Sequence, residues 1–378
     1  MRITSILFAL SPVTLGLASC GAAPAGENAA VRRDFTVTEI ARFDEPWAIA
    51  FLPGTPLALV TERKGKLKLW EDGGAVRDVA GVPAVAYGGQ GGLGDIVLAP
   101  DFASTGTVYL TWAEAGDGET RGAALGRARL VLDGAPQLEG LRVIWRQVPK
   151  VTGGGHYSHR VAFSPDGRYL FLSSGERQKM APAQAMDTNL GKVLRLLPDG
   201  TPAPGNPFAE KGGVAAEVWS LGHRNLLGLK FDAQGRLWDL EHGPRGGDEL
   251  NLVKRGRNYG WPLVSNGDHY DGRPIPRHAT RPEFAAPAIS WNPVIAPGDF
   301  IFYRGNQFPG WRGQAVIGGM RPNVLVRVAI DGETAREVAR VPMEHRIRDI
   351  AEREDGSVWL LEDGKEAGGG RLLKLTPP

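Results

Sequence analysis

The stretch Val161–Glu176 reads VAFSPDGRYLFLSSGE, a short apolar segment, a Pro-Asp-Gly turn and a second segment rich in leucine and aromatic residues. These turn residues suit a tight reversal between two antiparallel strands, so the stretch predicts a β-hairpin. The same pattern returns five times, the fifth of these copies being more divergent: Ala48–Glu62, Ile96–Trp112, Leu227–Gly243, Ile350–Glu362 and Asp299–Gly319.

Six hairpins at intervals of about 45–75 residues indicate a repeat architecture. No amphipathic helical stretch separates them, which is typical of a β-propeller with four-stranded blades. A β-sandwich or a pair of irregular β domains would also alternate strands and turns, but neither explains the recurrence along the whole chain. We therefore predict an all-β fold, a single six-bladed β-propeller of four-stranded antiparallel blades over residues 35–378.

Composition agrees with this class and excludes another. The 52 glycines and 28 prolines suggest many tight turns between short strands. Lysine and arginine number 44 against 42 acidic residues, and residues 1–19 contain one arginine and no acid, so 43 basic residues face 42 acidic ones in the remainder. A nearly neutral chain offers no electrostatic basis for nucleic-acid binding.

The N-terminus has the features of an export signal. Met1-Arg2 precedes an apolar run that ends in Leu17-Ala18-Ser19-Cys20, which resembles the lipobox of bacterial lipoproteins. We predict a signal peptide over 1–19, a lipid anchor at Cys20, a flexible tether over 20–34 and a periplasmic location. An ordinary signal peptide with an incidental cysteine is the alternative. Cys20 is the only cysteine, so the mature chain forms no internal disulfide.

The stretch from Gly222 to Pro262 is denser in chemistry than a fold requires, and we interpret it as the floor and metal corner of a cofactor site. It contains Gly-His-Arg-Asn at 222–225, His-Gly-Pro-Arg-Gly-Gly-Asp-Glu at 242–249 and Asn-Tyr-Gly-Trp-Pro at 258–262. Exposed carbonyl oxygens of a Gly-Pro turn beside carboxylates suit calcium, which accepts six to eight oxygen ligands. A turn with a solvated acid pair is also compatible with this spacing.

Two glycine-rich loops carry further candidates. Gln90 lies in the loop Gly88–Gly94, and its amide can donate to a carbonyl or carboxylate. His156 follows Gly153-Gly154-Gly155 and directly precedes a strand, where a histidine can act as a general base. A hydrogen-bonded structural histidine is the alternative. His156 and His159 could also ligate a transition metal, but no third ligand has suitable spacing.

Arginines recur in the loops beside the hairpins. Arg224 is followed by the carboxamide of Asn225, Arg321 lies in a Gly-Gly-Met-Arg-Pro turn, and Arg346 and Arg348 alternate along a predicted strand and so share one face. Arginines on a protein surface are normally solvated, but this repeated placement favours a multiply anionic ligand held by paired donors. A small polycarboxylate fits that description.

Together these residues resemble the soluble pyrroloquinoline quinone (PQQ)-dependent glucose and aldose sugar dehydrogenases. The matching segments follow the family's order along nearly the whole mature chain: Glu45–Trp47, Gly89–Phe102, His156–Gly175, Leu190–Arg195, Leu221–Asn225, His242–Pro262 and Arg346–Asp349.

The resemblance implies a propeller whose channel mouth holds PQQ, a planar tricarboxylate quinone, and oxidation of an aldose at its anomeric carbon to a lactone. His156 would be the general base. Six residues would contact PQQ: Gln90, Arg224, Asn225, Arg321, Arg346 and Arg348. Calcium (Ca2+) would take the backbone oxygens of Gly243 and Pro244, while Glu249 and Tyr259 match positions associated with calcium in the aldose branch.

Two departures place the chain nearer the broad-specificity aldose branch. Arg321 stands where the glucose dehydrogenases have lysine, and the longer insertions of those enzymes are absent. We therefore expect a monomer that acts on several aldoses and reduces a periplasmic electron acceptor. A calcium-dependent lactonase and a non-catalytic extracellular binding protein remain the alternatives, because other propellers serve both purposes.

Overall fold

In this computed structural model the described residues are 34–364 and 369–378. The predicted signal peptide, the lipid anchor at Cys20 and nearly all of the predicted tether lie outside these residues. All statements below refer to the described part of the chain.

The described residues form 24 β-strands. The first eight are β1 (Thr36–Phe43), β2 (Pro46–Phe51), β3 (Leu57–Glu62), β4 (Lys66–Glu71), β5 (Val76–Val79), β6 (Leu93–Leu98), β7 (Thr107–Ala115) and β8 (Arg121–Val131). The next eight are β9 (Gln137–Arg146), β10 (Ser158–Phe163), β11 (Leu170–Ser174), β12 (Lys192–Leu196), β13 (Val218–Leu221), β14 (Leu226–Phe231), β15 (Leu237–Glu241) and β16 (Asp248–Leu252). The last eight are β17 (Ile289–Trp291), β18 (Pro297–Phe302), β19 (Ala315–Met320), β20 (Asn323–Asp331), β21 (Thr334–Pro342), β22 (Ile347–Glu352), β23 (Val358–Glu362) and β24 (Gly370–Thr376).

Helical structure is limited to one turn of α-helix, α1 (Phe102–Thr105), and five short 3-10 turns. These turns are Ala181–Gln184, Ala209–Lys211, Gly213–Glu217, His278–Thr280 and Pro309–Trp311. Within 34–364 and 369–378, no helix has the length and apolar character needed to cross a membrane.

The strands form six four-stranded antiparallel sheets, which are the blades of a propeller. Blades 1 to 5 take β2–β5, β6–β9, β10–β13, β14–β17 and β18–β21 in chain order, and blade 6 joins β22–β24 to β1. The six hairpins found in the sequence are the two inner strands of the six blades, so the predicted six-bladed propeller is confirmed. The hairpin is the part that repeats because every inner pair packs against two neighbouring blades.

The ring is closed by the first strand of the domain. β1 pairs antiparallel with β24 from Thr36 opposite Thr376 to Phe43 opposite Gly370. Blade 6 therefore contains both ends of the propeller, and the two ends hold each other through backbone hydrogen bonds.

Alternation along each strand builds one apolar layer at each of the six interfaces between blades. In β15, Trp238 and Leu240 pack toward blade 5, whereas Leu237 packs toward blade 3. In β23, Val358 and Leu360 pack toward blade 5, and the residues between and after them pack toward blade 1. A blade thus buries both of its faces only when both neighbouring blades are present, which explains why the six blades form one closed ring.

One arginine fills the centre of the channel. Arg160, on the inner strand β10, is 1% exposed. Its guanidinium contacts the inner strands of all five other blades: the ring of Trp47 at 3.9 Å, Asp95 at 3.2 Å, the carbonyl of Leu227 at 2.8 Å, the carbonyl of Gly298 at 3.2 Å and Asp349 at 3.0 Å. A planar group with five donors suits this radial arrangement, which a lysine could not reproduce.

Arg160 lies among three buried carboxyl groups, those of Asp95, Asp299 and Asp349, with Lys230 as a second cation. Burial raises the pKa of Asp349 well above its ordinary value, and the neighbouring Asp299 raises it further although Arg160 opposes this. Burial also acts to raise the pKa of Asp299, but Arg160 and Lys230 outweigh it and the pKa is lowered.

Replacing Arg160 by methionine should destabilise the propeller strongly. Removing one partner of a buried ion cluster leaves uncompensated carboxylates and costs roughly 3–5 kcal/mol. The midpoint of urea unfolding measures the effect. Arg168→Met is the control, because Arg168 forms an exposed ion pair with Asp166 and should change the midpoint little. Equal midpoints for the two variants would contradict the central role of Arg160.

Candidate functional site

Several of the predicted site residues lie where loops meet the inner strands at one end of the channel. A cavity of about 90 Å³ opens there, and Gln90, Asn225, Arg346 and Arg348 are among its lining residues. Gln90 precedes β6, Asn225 precedes β14, and the two arginines flank the start of β22. Residues about 260 positions apart in sequence are therefore adjacent because each inner strand begins at the same end of the ring.

His156 is held through one ring nitrogen. Its side chain is 7% exposed, and Nδ1 contacts the carboxylate of Glu176, which is 1% exposed. A carboxylate on Nδ1 favours the tautomer with the proton there, which leaves the lone pair on Nε2. Burial lowers the pKa of His156, and Glu176 opposes this shift only in part. A neutral imidazole with a free Nε2 is the state that a general base requires.

Glu176 was not predicted as a site residue, although it ends the hairpin that reveals the fold. Its second oxygen accepts a hydrogen bond from the backbone N–H of Met180 at 2.5 Å. Burial acts to raise the pKa of Glu176, but the contact with His156 outweighs it and the pKa is lowered. The carboxylate therefore stays ionised against the imidazole, and a Gly-Glu pair after a strand was the only sequence signal for it.

Gln90 acts differently from the sequence expectation at one atom. The side-chain Oε1 of Gln90 accepts a hydrogen bond from the backbone N–H of His156 at 2.7 Å. The backbone N–H of Gln90 donates to the carbonyl of Gly154, also at 2.7 Å. The two glycine-rich loops thus contact each other backbone to backbone. A side chain at Gly89 would meet the carbonyl of Gly154 at 2.4 Å, so glycine is required there.

Arg63, which follows β3, supports the same loop and was not predicted. Its guanidinium pairs with Glu45 at 2.8 Å and donates to the carbonyls of Gly89 at 2.7 Å and Gly91 at 3.0 Å. It is 4% exposed. Nothing in the local sequence distinguishes this arginine from a surface one, because its partners come from other loops.

Arg224 and Asn225 present donors without partners. Arg224 Nη1 donates to the carbonyl of His242 at 3.1 Å and Nη2 contacts the hydroxyl of the exposed Tyr270 at 3.4 Å. Its buried Nε and the buried Nδ2 of Asn225 have no hydrogen-bond partner among the described residues. Buried donors are normally satisfied, so these atoms mark a place for acceptor groups of a ligand.

Arg346 and Arg348 form a second group of donors and share one carboxylate. Asp363 lies 2.5 Å from Arg346 Nε and 3.5 Å from Arg348 Nη2. Burial lowers the pKa of Arg348 to about 10, and the nearby cations Arg346 and Arg63 add to this. The buried Nε of Arg348 also has no partner among the described residues. A buried guanidinium whose pKa is lowered by neighbouring cations favours an anionic ligand.

Arg321 stands apart from this group. It is exposed, it follows the end of β19, and it is not among the residues lining the cavity. Met320 before it does line the cavity, and its carbonyl accepts from Arg346 at 3.3 Å. The structure therefore places Arg321 at the rim, beside the donor group rather than within it.

The structure separates the four metal candidates into two places. The Gly243-Pro244 turn is closed by the carboxylate of Asp248, which accepts from the N–H of Gly243 at 2.9 Å. Neither carbonyl of the turn accepts a hydrogen bond from another residue within 34–364 or 369–378. Successive side chains of a strand point to opposite faces, so Glu249 lies on the other face of β16 from Asp248.

Glu249 belongs to a buried acidic cluster, which we define as Asp239, Glu241, Glu249 and Asn251 with His223. In the β15–β16 pair Glu241 lies directly opposite Glu249, and Asp239 lies opposite Asn251. Nδ1 of His223 lies 3.2 Å from Glu241 and 3.6 Å from Asp239. The sequence analysis missed this cluster, although acids two residues apart in an otherwise apolar strand were a signal for it.

The acidic cluster is destabilising for the folded protein when no cation is bound to it. Like charges directly opposite each other on a sheet repel, and here all members are less than a tenth exposed. Burial, with Glu241 adding to it, raises the pKa values of Asp239 and Glu249 well above their ordinary values. Oδ2 of Asp239 and Oδ1 of Asn251 have no hydrogen-bond partner among the described residues. These oxygens fit a bound cation.

Tyr259 contributes to the cluster through its backbone and its ring. The ring stacks on His223 with centroids 4.6 Å apart, and its hydroxyl donates to the carbonyl of Leu252 at 2.5 Å. The Tyr259 carbonyl lies 3.2 Å from Nε2 of His278, whose Nδ1 lies 3.8 Å from Glu249. The cluster also contacts the mouth, since Glu241 accepts from the N–H of Arg224 at 2.6 Å.

Similar proteins were found by sequence. The family model for glucose/sorbosone dehydrogenases matches residues 43–374. The aldose sugar dehydrogenase YliI of Escherichia coli is 37% identical over 378 residues, which covers 98% of each chain.

Similar proteins were also found by structure. The apo-form of the soluble aldose sugar dehydrogenase of Escherichia coli has a TM-score of 0.85 at 36% identity and covers 91% of this chain and all of that one. The PQQ-bound form of an aldose sugar dehydrogenase from Streptomyces coelicolor has a TM-score of 0.74 at 29% identity, covering 90% and 98% of the two chains. With the mouth geometry described above, these matches establish that the chain belongs to the glucose/sorbosone dehydrogenase family.

Proposed function

We propose that this protein is a PQQ- and calcium-dependent oxidoreductase that converts aldose sugars to lactones at the anomeric carbon. The observation that carries the proposal is the placement of His156. Its Nδ1 is fixed by a buried carboxylate, and its backbone is tied to a loop lining a cavity ringed by cationic donors. The PQQ-bound relative supports the identity of the cofactor.

The donor set fits a planar tricarboxylate. Arg224, Asn225 and Arg348 each have a buried nitrogen without a partner among residues 34–364 and 369–378, and all three lie at the starts of two inner strands. Carboxylate groups would satisfy the three nitrogens and offset the mutual repulsion of the guanidiniums. Gln90 and Arg346 would complete the contacts from the other sides of the cavity, and Arg321 would act from the rim.

The Gly243-Pro244 turn fits a calcium ion beside the cofactor. Its two carbonyls are not used by the described residues, and calcium accepts such oxygens in loose geometry. A side chain at Gly243 would meet the carbonyl of Gly246 at 2.2 Å, so the turn is too tight to present anything but backbone oxygen. The acidic cluster with Glu249 and the Tyr259 carbonyl would hold a second calcium within the fold.

The residues of the chain account for the proton in the reaction. When bound, PQQ supplies a two-electron acceptor for the hydride leaving C1 of the sugar. His156 Nε2 takes the proton of the C1 hydroxyl, and the carboxylate of Glu176 stabilises the imidazolium that results. The arginines at the mouth favour negative charge developing on the reduced cofactor. Loss of one hydride and one proton from the aldose leaves the lactone.

The N-terminal sequence features outside the described residues support a proposed location, and the family resemblance supports a proposed electron acceptor and oligomeric state. We propose a periplasmic protein anchored through a lipid at Cys20, monomeric, that passes electrons to a periplasmic acceptor. A lactonase would need several side-chain ligands on a mouth calcium and no group of arginines. A binding protein would not need His156 and Glu176 in this arrangement.

Reconstitution tests the proposed function directly. The purified protein should reduce a redox dye with a panel of aldoses only after both PQQ and calcium are added, and the rates rank the sugars. A visible-range absorbance change on adding the sugar to the loaded protein would report cofactor reduction. Acid release without any electron acceptor would instead support the lactonase, and no reaction together with no heat of PQQ binding would support a binding protein.

Replacing His156 by glutamine should lower kcat by roughly 10²–10⁴-fold while PQQ still binds, because the change removes the base and leaves the donors intact. In the wild type, the acid limb of kcat/KM should lie below the ordinary histidine pKa of about 6.5, since burial lowers the pKa of His156 and a base acts when unprotonated. His269→Gln is the control, because His269 lies in a turn closed by its backbone hydrogen bond to Arg273, and it should leave kcat unchanged. If PQQ-loaded His156→Gln turned over as fast as the wild type, His156 would not be the general base.

Replacing Glu249 by glutamine should remove one calcium per chain without removing PQQ binding. The variant loses an anionic ligand of the acidic cluster but leaves the Gly243-Pro244 turn unchanged. Metal analysis gives the calcium content, and the thermal midpoint gives the stabilisation, about 2.7 kcal/mol at calcium 100-fold above its Kd. Glu333→Gln, at an exposed acid, is the control. Unchanged calcium content and an unchanged midpoint in Glu249→Gln would contradict the second site.

A further inference from the structure

The backbone around His156 is strained in an unusual number of places. Eight described non-glycine residues have positive φ, and six of them lie in the two short segments 156–159 and 177–180. His156 itself has φ of 50°. Such conformations cost about 1–3 kcal/mol each in the least favourable cases and persist only where the surroundings fix them. Something must therefore hold these two segments.

Arg177 makes the contacts that could hold them. It is fully buried, and its Nε donates to the carbonyl of Gly155 at 2.8 Å. Its two terminal nitrogens donate to the carbonyls of Gly153 and Arg121, both at 2.5 Å. The guanidinium also lies 3.8 Å from the ring centre of Tyr157. The Arg177 side chain thus contacts the glycine run before His156, the ring of Tyr157 after it, and Arg121 in the neighbouring blade 2.

The charge of Arg177 is not there to pair with an acid. Among the described residues its guanidinium donates to three backbone carbonyls and forms no ion pair, and burial lowers its pKa although Tyr157 and Glu176 oppose this. Burying a cation costs more than burying an apolar chain of similar length, so stability alone would favour an apolar residue. The three fixed donor directions are what only arginine supplies.

We infer that Arg177 is a positioning residue for the reaction, which rests on the proposed function: it fixes the Gly153–Gly155 loop and so holds His156 against Glu176. The backbone reinforces this, because the N–H of Arg177 donates to the carbonyl of His156 at 3.2 Å. The base and its carboxylate lie on the two segments that Arg177 joins. A displacement of about 1 Å at such a group can cost 100-fold in rate.

Loss of Arg177 should also change the protonation of His156. The charged or titratable groups that face the imidazole are Glu176, Arg224, Arg177 and the neutral His242. Without the Arg177 side chain, water reaches the Gly153–Gly155 loop and one cation near His156 is removed. Both changes favour the protonated form of His156. The pKa of His156 therefore rises, and because the base must be neutral, activity is lost most at low pH and partly recovered at high pH.

The test compares Arg177→Met, Arg177→Lys and a matched control, Arg195→Met, in PQQ- and calcium-loaded protein. Arg195 lies in the same blade, 4.5 Å from the ring of Tyr169, and donates to Asn206 at 2.8 Å, away from the mouth. We expect kcat to fall about 10–100-fold in Arg177→Met with a sugar KM within about threefold of wild type. Arg177→Lys should recover only part of the lost kcat, because an ammonium group lacks the fixed donor directions of a guanidinium. Arg195→Met should leave kcat unchanged.

A second readout does not depend on turnover. NMR titration of ring-labelled histidines, with His156 assigned from the His156→Gln variant, should show its pKa raised in Arg177→Met and unchanged in Arg195→Met. If Arg177→Met does not fold, Arg177→Lys and Arg177→Gln carry the same comparison.

Two results would overturn the inference: wild-type kcat in the Arg177 variants, or a loss that is equal at every pH with an unchanged titration of His156. If the wild type itself oxidises no sugar, the proposed function has failed, and the NMR titration still decides whether Arg177 positions His156.

Discussion

The contact on which the structure depends is that of Arg160 with the inner strands of all five other blades. A propeller buries no core along its axis, so six strands that begin around a channel need something to fix their relative height. One planar cation reaches Trp47, Asp95, Leu227, Gly298 and Asp349 at hydrogen-bonding or ring-contact distance. The strands it ties together also carry the site. Asn225 directly precedes β14, Arg348 precedes Asp349 on β22, and the carbonyl of Arg348 accepts from Arg160 at 3.5 Å. The floor of the mouth is therefore fixed by the centre of the ring.

Positive and negative side chains lie on opposite faces of the strands around the mouth. The mouth collects guanidiniums with few acids, whereas the other face of the β15–β16 pair buries Asp239, Glu241 and Glu249, the first two beside His223. Asp248 and Glu249 are neighbours in sequence, yet alternation sends one carboxylate to the mouth turn and the other to the interface with blade 3. Within the part of the chain that the structure describes, both regions leave buried polar atoms without hydrogen-bond partners, donors in the first region and acceptors in the second. Unsatisfied donors on one side of β16 suit a bound anion, and unsatisfied acceptors on the other side suit a bound cation.

Sequence reasoning reached much of this arrangement for identifiable reasons. The six hairpins were visible because each inner strand pair meets the same packing requirement, and the loops rich in glycine and arginine stand out against apolar strands. Glu176 was missed although it lies in a quoted hairpin, because a carboxylate after a strand is ordinary until a histidine lies beside it. Arg63 and Arg177 were missed for a related reason. Both donate to carbonyls of distant loops, and a carbonyl leaves no trace in the sequence.

What the sequence by itself determined is the fold class, the number of blades and four of the residues that line the cavity, Gln90, Asn225, Arg346 and Arg348, because local alternation, turn chemistry and recurrence are written in consecutive residues. What only the tertiary structure decided is which groups act on one another: the pairing of His156 with Glu176, the position of Arg321 at the rim, and the division of Gly243 and Pro244 from Glu249 and Tyr259. The physical reason is that burial, hydrogen-bond partners and the face on which a side chain lies depend on the register of strands and the closure of the ring. These are properties of residues far apart in the chain.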